Sequence, residues 1–183
     1  MFDWFSLNDS PILAVSQPDA IDLLKNDHDS IKELFDRFKK AVDRRVKAKI
    51  ASQALNALKI HSALEEEIFY PAVRQRVGKD IMNEADEEHH VADVLIAELE
   101  AMDGRGDHFD AKFNVLAENV LHHIKEEESE MLPKAQSLDL DFVKLGQRML
   151  RRKEELLVSG LPAVAAAPAA RKKQAKATTR GRA

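Results

Sequence analysis

The chain has 183 residues, of which 44% are apolar, 33% charged and only 5% aromatic, a balance that suits a soluble, helix-rich protein. Cysteine is absent, which excludes disulfide frameworks, thiolate metal sites, iron–sulfur clusters and cysteine nucleophiles at once. The formal net charge of -4 hides an asymmetry, because the six positive charges of an acid-free tail from 161 onward leave residues 1–160 at -10.

Residues 1–18 read as an N-terminal extension whose Phe2, Trp4 and Phe5 either fold over the mouth of a bundle or dock a partner. The extension carries Asp3 and Asp9 and no basic leader region, and no run of about 18 apolar residues follows it. A cytoplasmic protein without a membrane-spanning helix is therefore expected. "QPD" at 17–19 suits a helix start, with Ser16 or Asp19 as the cap. A first helical stripe runs through Ile21, Leu24, His28, Ile31, Phe35, Phe38 and Val42. A second runs through Ile50, Ala54, Ala57, His61, Glu65, Ile68 and Ala72, and Pro71 is expected to end or kink that helix. The third reads Ile81, Ala85, His89, Ala92, Ile96 and Leu99, and "DGRGD" at 103–107 follows it as a turn. In the fourth come Phe109, Phe113, Leu116, Val120, His123, Glu127 and Met131, with Pro133 as its end or kink. A shorter helix is expected near 140–157, where Phe142, Leu145, Met149 and Leu156 recur at helical spacing.

The expected class is all-α: an up-down-up-down antiparallel four-helix bundle plus the short C-terminal helix over 19–158, followed by a disordered basic tail over 159–183. Lysines and arginines in that tail could bind nucleic acid or anionic lipid through counterion release. It holds no aromatic side chain on which bases could stack, so a solvated tail is the preferred expectation.

The chain also looks duplicated. His61 and His123 each precede a proline by ten residues, and each is followed by a glutamate four residues on. His28 and His89 are matched in the apolar residues that follow them. A residue four places along a helix lies one turn up on the same face, so His61 points inward with Glu65, and His123 with Glu127. His28 and His89 add an imidazole from each remaining helix. Six buried polar side chains without partners would be destabilising by several kcal/mol each, and a bound dication removes that penalty. Imidazole with carboxylate and no thiolate suits iron, manganese or zinc. Two ions fit better than one tetrahedral zinc, with Glu65 and Glu127 as bridges, two histidines on each ion, and positions left for dioxygen, peroxide or nitric oxide.

The stretches "NDHDSIKELF", "HSALEEEIFYP", "EEHHVADVLIAEL" and "HHIKEEESEMLP" resemble the four signatures of the hemerythrin-like, or HHE cation-binding, domain, over roughly residues 19–135. The resemblance implies a four-helix bundle around a non-haem di-iron centre with an oxo or hydroxo bridge, iron being preferred to manganese or zinc. It also implies oxygen binding, oxygen or iron sensing, or responses to peroxide or nitric oxide. By match to those motifs the metal ligands are His28, His61, Glu65, His89, His123 and Glu127. Oxygen carriers of the family have a second histidine on the third helix and an aspartate on the fourth. Here Asp93 stands four residues after His89, and Glu127 replaces the aspartate, which gives weight to sensing, scavenging or slow redox chemistry.

Two other functions compete with ligand binding: a di-iron enzyme that consumes peroxide or nitric oxide, and a metal-free helical adaptor whose tail grips nucleic acid. His90 and His122 fall on wetter faces and are expected beside the site or at the surface, and His108 in a turn. Glu66 and Glu128 either join a metal or, the preferred expectation, solvate the bundle, and Tyr70 either reaches the metal pocket or, again preferred, caps the core. Ile31, Phe35, Phe38, Phe69, Phe113 and Leu116 would wall the centre off from water. No glycine-rich phosphate loop or Gly-x-Ser-x-Gly elbow is present, and a ferritin-like site would want Glu-x-x-His pairs instead.

Overall fold

The computed structural model describes residues 18–160 apart from 103, 105 and 107, so Ser16, the aromatic N-terminus and the basic tail lie outside the described residues. In chain order the elements are α1 (Ala20–Lys40), α2 (Arg44–Leu64), a π-helical turn (Glu65–Phe69), α3 (Tyr70–Val77), α4 (Lys79–Met102), α5 (Phe109–Glu126), a second π-helical turn (Glu127–Met131), α6 (Leu132–Gln136) and α7 (Phe142–Ser159). All are helical, and among the described residues no helix is long and apolar enough to cross a membrane.

Aspartates start three of these helices by accepting backbone N–H groups that have no partner inside the helix. Asp19 accepts from Asp22 at 2.9 Å, Asp43 from Arg45 and Val46 at 2.8 and 3.0 Å, and Asp141 from Lys144 at 2.9 Å. Val42, expected in the first core stripe, is instead 96% exposed. The reason is the helix end: α1 stops at Lys40, the Ala41 N–H bonds the Arg37 and Phe38 carbonyls, and Val42 falls in the connection to α2.

Neither proline ends its helix. Proline lacks an N–H, and its ring collides with the carbonyl four residues back in an α-helix. The backbone widens just before each one. Tyr70 N–H bonds the Glu65 carbonyl and Leu132 N–H the Glu127 carbonyl, both five residues back. Pro71 and Pro133 then sit in the first turn of α3 and α6, where a missing N–H leaves nothing unsatisfied. The helices run on to Val77 and Gln136, and each widened turn begins at a glutamate of the stripe.

Consecutive long helices pair in opposite directions. Lys47 lies over Phe38 at one end of α1 and α2, and His28 lies beside His61 at the other. Glu98 meets Lys112 at one end of α4 and α5, and His89 lies beside His123. The first hairpin is thus α1 to α3 and the second α4 to α6. α7 packs along the first hairpin, against α1, α2 and the first π-turn. Its Lys153 reaches Asp27 at 2.5 Å and its Arg152 reaches Glu67 at 2.7 Å. Gly146 permits that docking, since a Cβ there would stand 2.7 Å from the Pro18 carbonyl oxygen.

Two apolar clusters fill the interior. One contains Phe35, Phe38 and Phe113, with the Phe38 and Phe113 rings 4.0 Å apart. The other contains Leu24, Phe69, Tyr70, Leu132 and Met149. Leu24 and Ile31 belong to different clusters, yet they lie one turn either side of His28. A polar layer therefore separates two oily ones.

Candidate metal centre

Among the described residues, the buried histidine and charged side chains are His28, His61, Glu65, His89, His123 and Glu127, all 6% exposed or less. These are the six that helical spacing sends inward, and the structure brings them together in two overlapping groups. In one, His28, His61, Glu65 and Glu127 each offer an atom within 4.8 Å of the others; in the second, Glu65, His89 and His123 do. Glu65 is common to both. Its Oε2 stands 3.3 Å from Nε2 of His61 and 3.3 Å from Nε2 of His89. Glu127 Oε2 stands 3.2 Å from Nε2 of His28 and 3.9 Å from Nε2 of His123.

Close approach does not amount to satisfaction. Nε2 of His28, both ring nitrogens of His61, both oxygens of Glu65 and Oε2 of Glu127 are buried without a hydrogen bond. Each such atom normally destabilises a fold by about 1–3 kcal/mol, and native interiors hold few of them. Imidazole nitrogens and carboxylate oxygens gathered within contact of one another are, once a cation displaces their protons, the donor set of a dication. The residues present fit the expected metal.

The electrostatics describe the same frustration. Burial, together with the Glu127 charge, pushes Glu65 up to about 7. Glu127 is buried too, but its contacts with His28 and His123 outweigh the burial and hold it below the usual carboxylate range. Two carboxylates this close cannot both ionise without a cation, so one keeps a proton. Burial lowers His89, but close contact with the Glu65 carboxylate and a hydrogen bond with Glu66 overcome it and raise the ring to about 10. His61 is driven well below its ordinary value by burial and then by the His28 charge.

Outside this layer a second set of carboxylates holds the rings. Glu128 Oε1 lies 3.0 Å from Nδ1 of His28, and Glu66 Oε1 lies 2.8 Å from Nδ1 of His89. Each glutamate that follows a stripe glutamate thereby ties the histidine of the opposite hairpin. Glu88 Oε2 holds Nδ1 of His123 at 2.8 Å. Such partners fix ring orientation and aim Nε2 inward. For Glu66 and Glu128 the preferred expectation is solvation of the bundle, with a place on a metal as the alternative. Both are partly exposed, and both reach back to a ring as well. The duplicated positions were the available signal for this pair. Nothing in the sequence singled out Glu88, which acts across two helices.

His61 lacks an outer carboxylate. The residue that corresponds to Glu88 in the first hairpin is Asp27, and Asp27 is engaged by Lys153 of α7. Tyr70 breaks the duplication a second time. It is fully buried, and its hydroxyl donates to Glu127 Oε1 at 3.1 Å while lying 3.2 and 3.4 Å from Nε2 of His89 and His123. Burial, reinforced by the Glu65 and Glu127 charges, pushes this phenol well above its ordinary value, so it keeps its proton. Tyr70 does belong to the core, as expected, but its oxygen is also part of the polar layer. The corresponding residue of the second hairpin is Leu132. His90 and His122 are exposed, and His122 pairs with Glu126 at 3.1 Å.

Comparisons with known proteins agree with this geometry. The chain is similar to a hemerythrin HHE cation binding domain-containing protein from Mycobacterium kansasii, with 24% identity, a TM-score of 0.67, and 78% of this chain and 89% of that one covered. That likeness speaks to the fold. The chain is also 27% identical over 108 residues to a DNA nickase from Nostoc sp.; the match takes in 59% of this chain but 31% of the nickase, so the chain spans about a third of that relative's length. The family model for the hemerythrin HHE cation binding domain matches residues 19–135, and the chain belongs to that family.

Proposed function

We propose that the chain holds two iron ions in a non-haem centre and uses them to bind dioxygen or a related ligand, peroxide or nitric oxide. The observation that carries this reading is the set of buried lone pairs without partners on His28, His61, Glu65 and Glu127, continued through Glu65 to His89 and His123. We read the antiparallel pairings as one up-down-up-down bundle with this layer at its middle. Glu65 and Glu127, together with His28, His61, His89 and His123, would hold the ions. Iron supplies redox-active coordination positions for a small ligand. The protein's part is to orient and to exclude. Glu66, Glu88 and Glu128 hold three rings with Nε2 inward, the apolar clusters keep water out on both sides, and Tyr70 keeps a donated O–H among Glu127, His89 and His123. Asp93 is half-buried where the family's oxygen carriers have a histidine, which favours sensing or scavenging over carriage.

Anaerobic reduction followed by exposure to air, watched by visible absorption, tests the reading. A band that appears and reverses supports binding. Bleaching with net consumption of peroxide or nitric oxide makes the chain an enzyme, and no band at all removes iron from the account.

The likeness to a DNA nickase motivates a second reading, in which paired metals hydrolyse a phosphodiester. The six groups are too enclosed for a duplex to approach them, so this reading ranks lower. Nicking of supercoiled plasmid by the purified chain would reverse the order.

A further inference from the structure

The two hairpins differ most on the flank of the centre. In the first, the groove beside His61 and Glu65 carries Leu23, Leu64 and Ile68, all part of the apolar cluster that α7 joins. At the corresponding positions of the second hairpin stand Glu84, Glu126 and Glu130. The apolar wall there is reduced to Ile81, Ala85 and Met131. A cavity of about 50 Å³ opens instead between α4 and α5, with those three glutamates and Glu88 around it, and with His123 and Glu127 on its wall. That is room for at least one water-sized species.

We propose that this acidic groove is the route by which divalent cations reach the centre, with Glu88, His122 and Glu126 as a transient first site at its rim. The inference rests on the metal-centre reading above. Nε2 of His122 lies 3.1 Å from Glu126 Oε1 and 3.8 Å from Glu88 Oε1, and the three offer one atom each within 4.8 Å of one another. Glu88 faces both ways, because its other oxygen holds the inner ring of His123 at 2.8 Å. The link from this rim to the centre is Glu127. Its side chain is 1% exposed, its Oε2 has no hydrogen-bond partner, and it lines the same cavity. Carboxylates clustered over walls such as Ala85 and Met131 focus a negative potential that gathers cations and repels anions. A neutral diatomic gains nothing from them. The replacement of Leu23, Leu64 and Ile68 by acids is therefore explained by cation traffic.

The test is anaerobic ferrous loading of the chelator-stripped full chain, followed in time by quenching with a strong chelator. His122→Ala and Glu126→Gln should each slow loading about tenfold and leave the final metal content at the wild-type level. Glu118→Gln, which removes an exposed acid elsewhere on α5, should load like the wild type. Unchanged rates in the two rim variants at full endpoint would overturn the route and leave the centre standing. A reduced endpoint would overturn the transient role by placing these residues in the permanent site. A wild-type chain that takes up no metal would overturn both.

Discussion

In the first hairpin, Asp27 is turned outward to Lys153 and α7 lies over the flank of the centre; in the second, Glu88 turns inward to His123 and the flank carries an open acidic cavity. The two halves otherwise repeat each other closely. His28 and His61 stack edge to face with ring centroids 4.8 Å apart and planes at 70°, and His89 and His123 do so at the same distance and angle. The duplication has kept what a metal pair needs and relaxed what surrounds it. One extra methylene at position 88 relative to 27, and one extra helix on the first half, divide the molecule into a sealed side and an accessible side.

The largest effect that separates the halves should come from Tyr70, whose counterpart is Leu132. Tyr70→Phe removes a donor to a buried carboxylate, and hydrogen bonds to charged groups are worth about 1.5–3 kcal/mol. Denaturant unfolding in chelator should show a loss of that size, and a neutral result would mean that the hydroxyl is a bystander. Next comes the unmatched carboxylate pair. Glu88→Gln should weaken metal binding by about 10–100-fold, as loss of an outer partner of a ligating histidine typically does, whereas Asp27→Asn should leave it unchanged. Competition against a chelator of known affinity measures both, and equal effects would erase the asymmetry.

The smallest effect is per unit of pH. Glu65, raised to about 7, and His89, raised to about 10, both hold protons that a cation must displace. Affinity should therefore rise with pH. The His89 proton gives about tenfold per unit up to about pH 10; His28, whose carboxylate contacts outweigh its burial and raise it as well, adds to the slope, and below pH 7 the Glu65 proton steepens it further. A flat titration would show that the metal-free site does not hold these protons.

Much of this was legible in the sequence because helical spacing is rigid. His61 with Glu65 and His123 with Glu127 must share a face, and the apolar neighbours say which face is buried. What stayed hidden depends on packing between elements. Glu88 and Tyr70 act on rings of other helices, and no spacing along their own helix reveals that. The ordinary rule has proline end or kink an α-helix; the widened turns at Glu65 and Glu127 accommodate the ring and let each helix continue. Val42 followed the stripe by one residue too many, because the end of α1 is set by the Ala41 backbone and not by hydropathy. Glu84 and Glu130 are exposed and Glu126 partly so, and what sets them apart is the contrast with Leu23, Leu64 and Ile68, which pack in the cluster that α7 joins.

Elemental analysis of the purified wild-type chain beside a Glu65→Ala variant bears most directly on the claim that this polar layer exists to hold metal. Because Glu65 is the group shared between both halves, the wild type should carry about two ions per chain, iron foremost, and the variant should lose most of them. Wild-type protein that purifies without metal and takes none up on loading, or a variant with undiminished content, would contradict it.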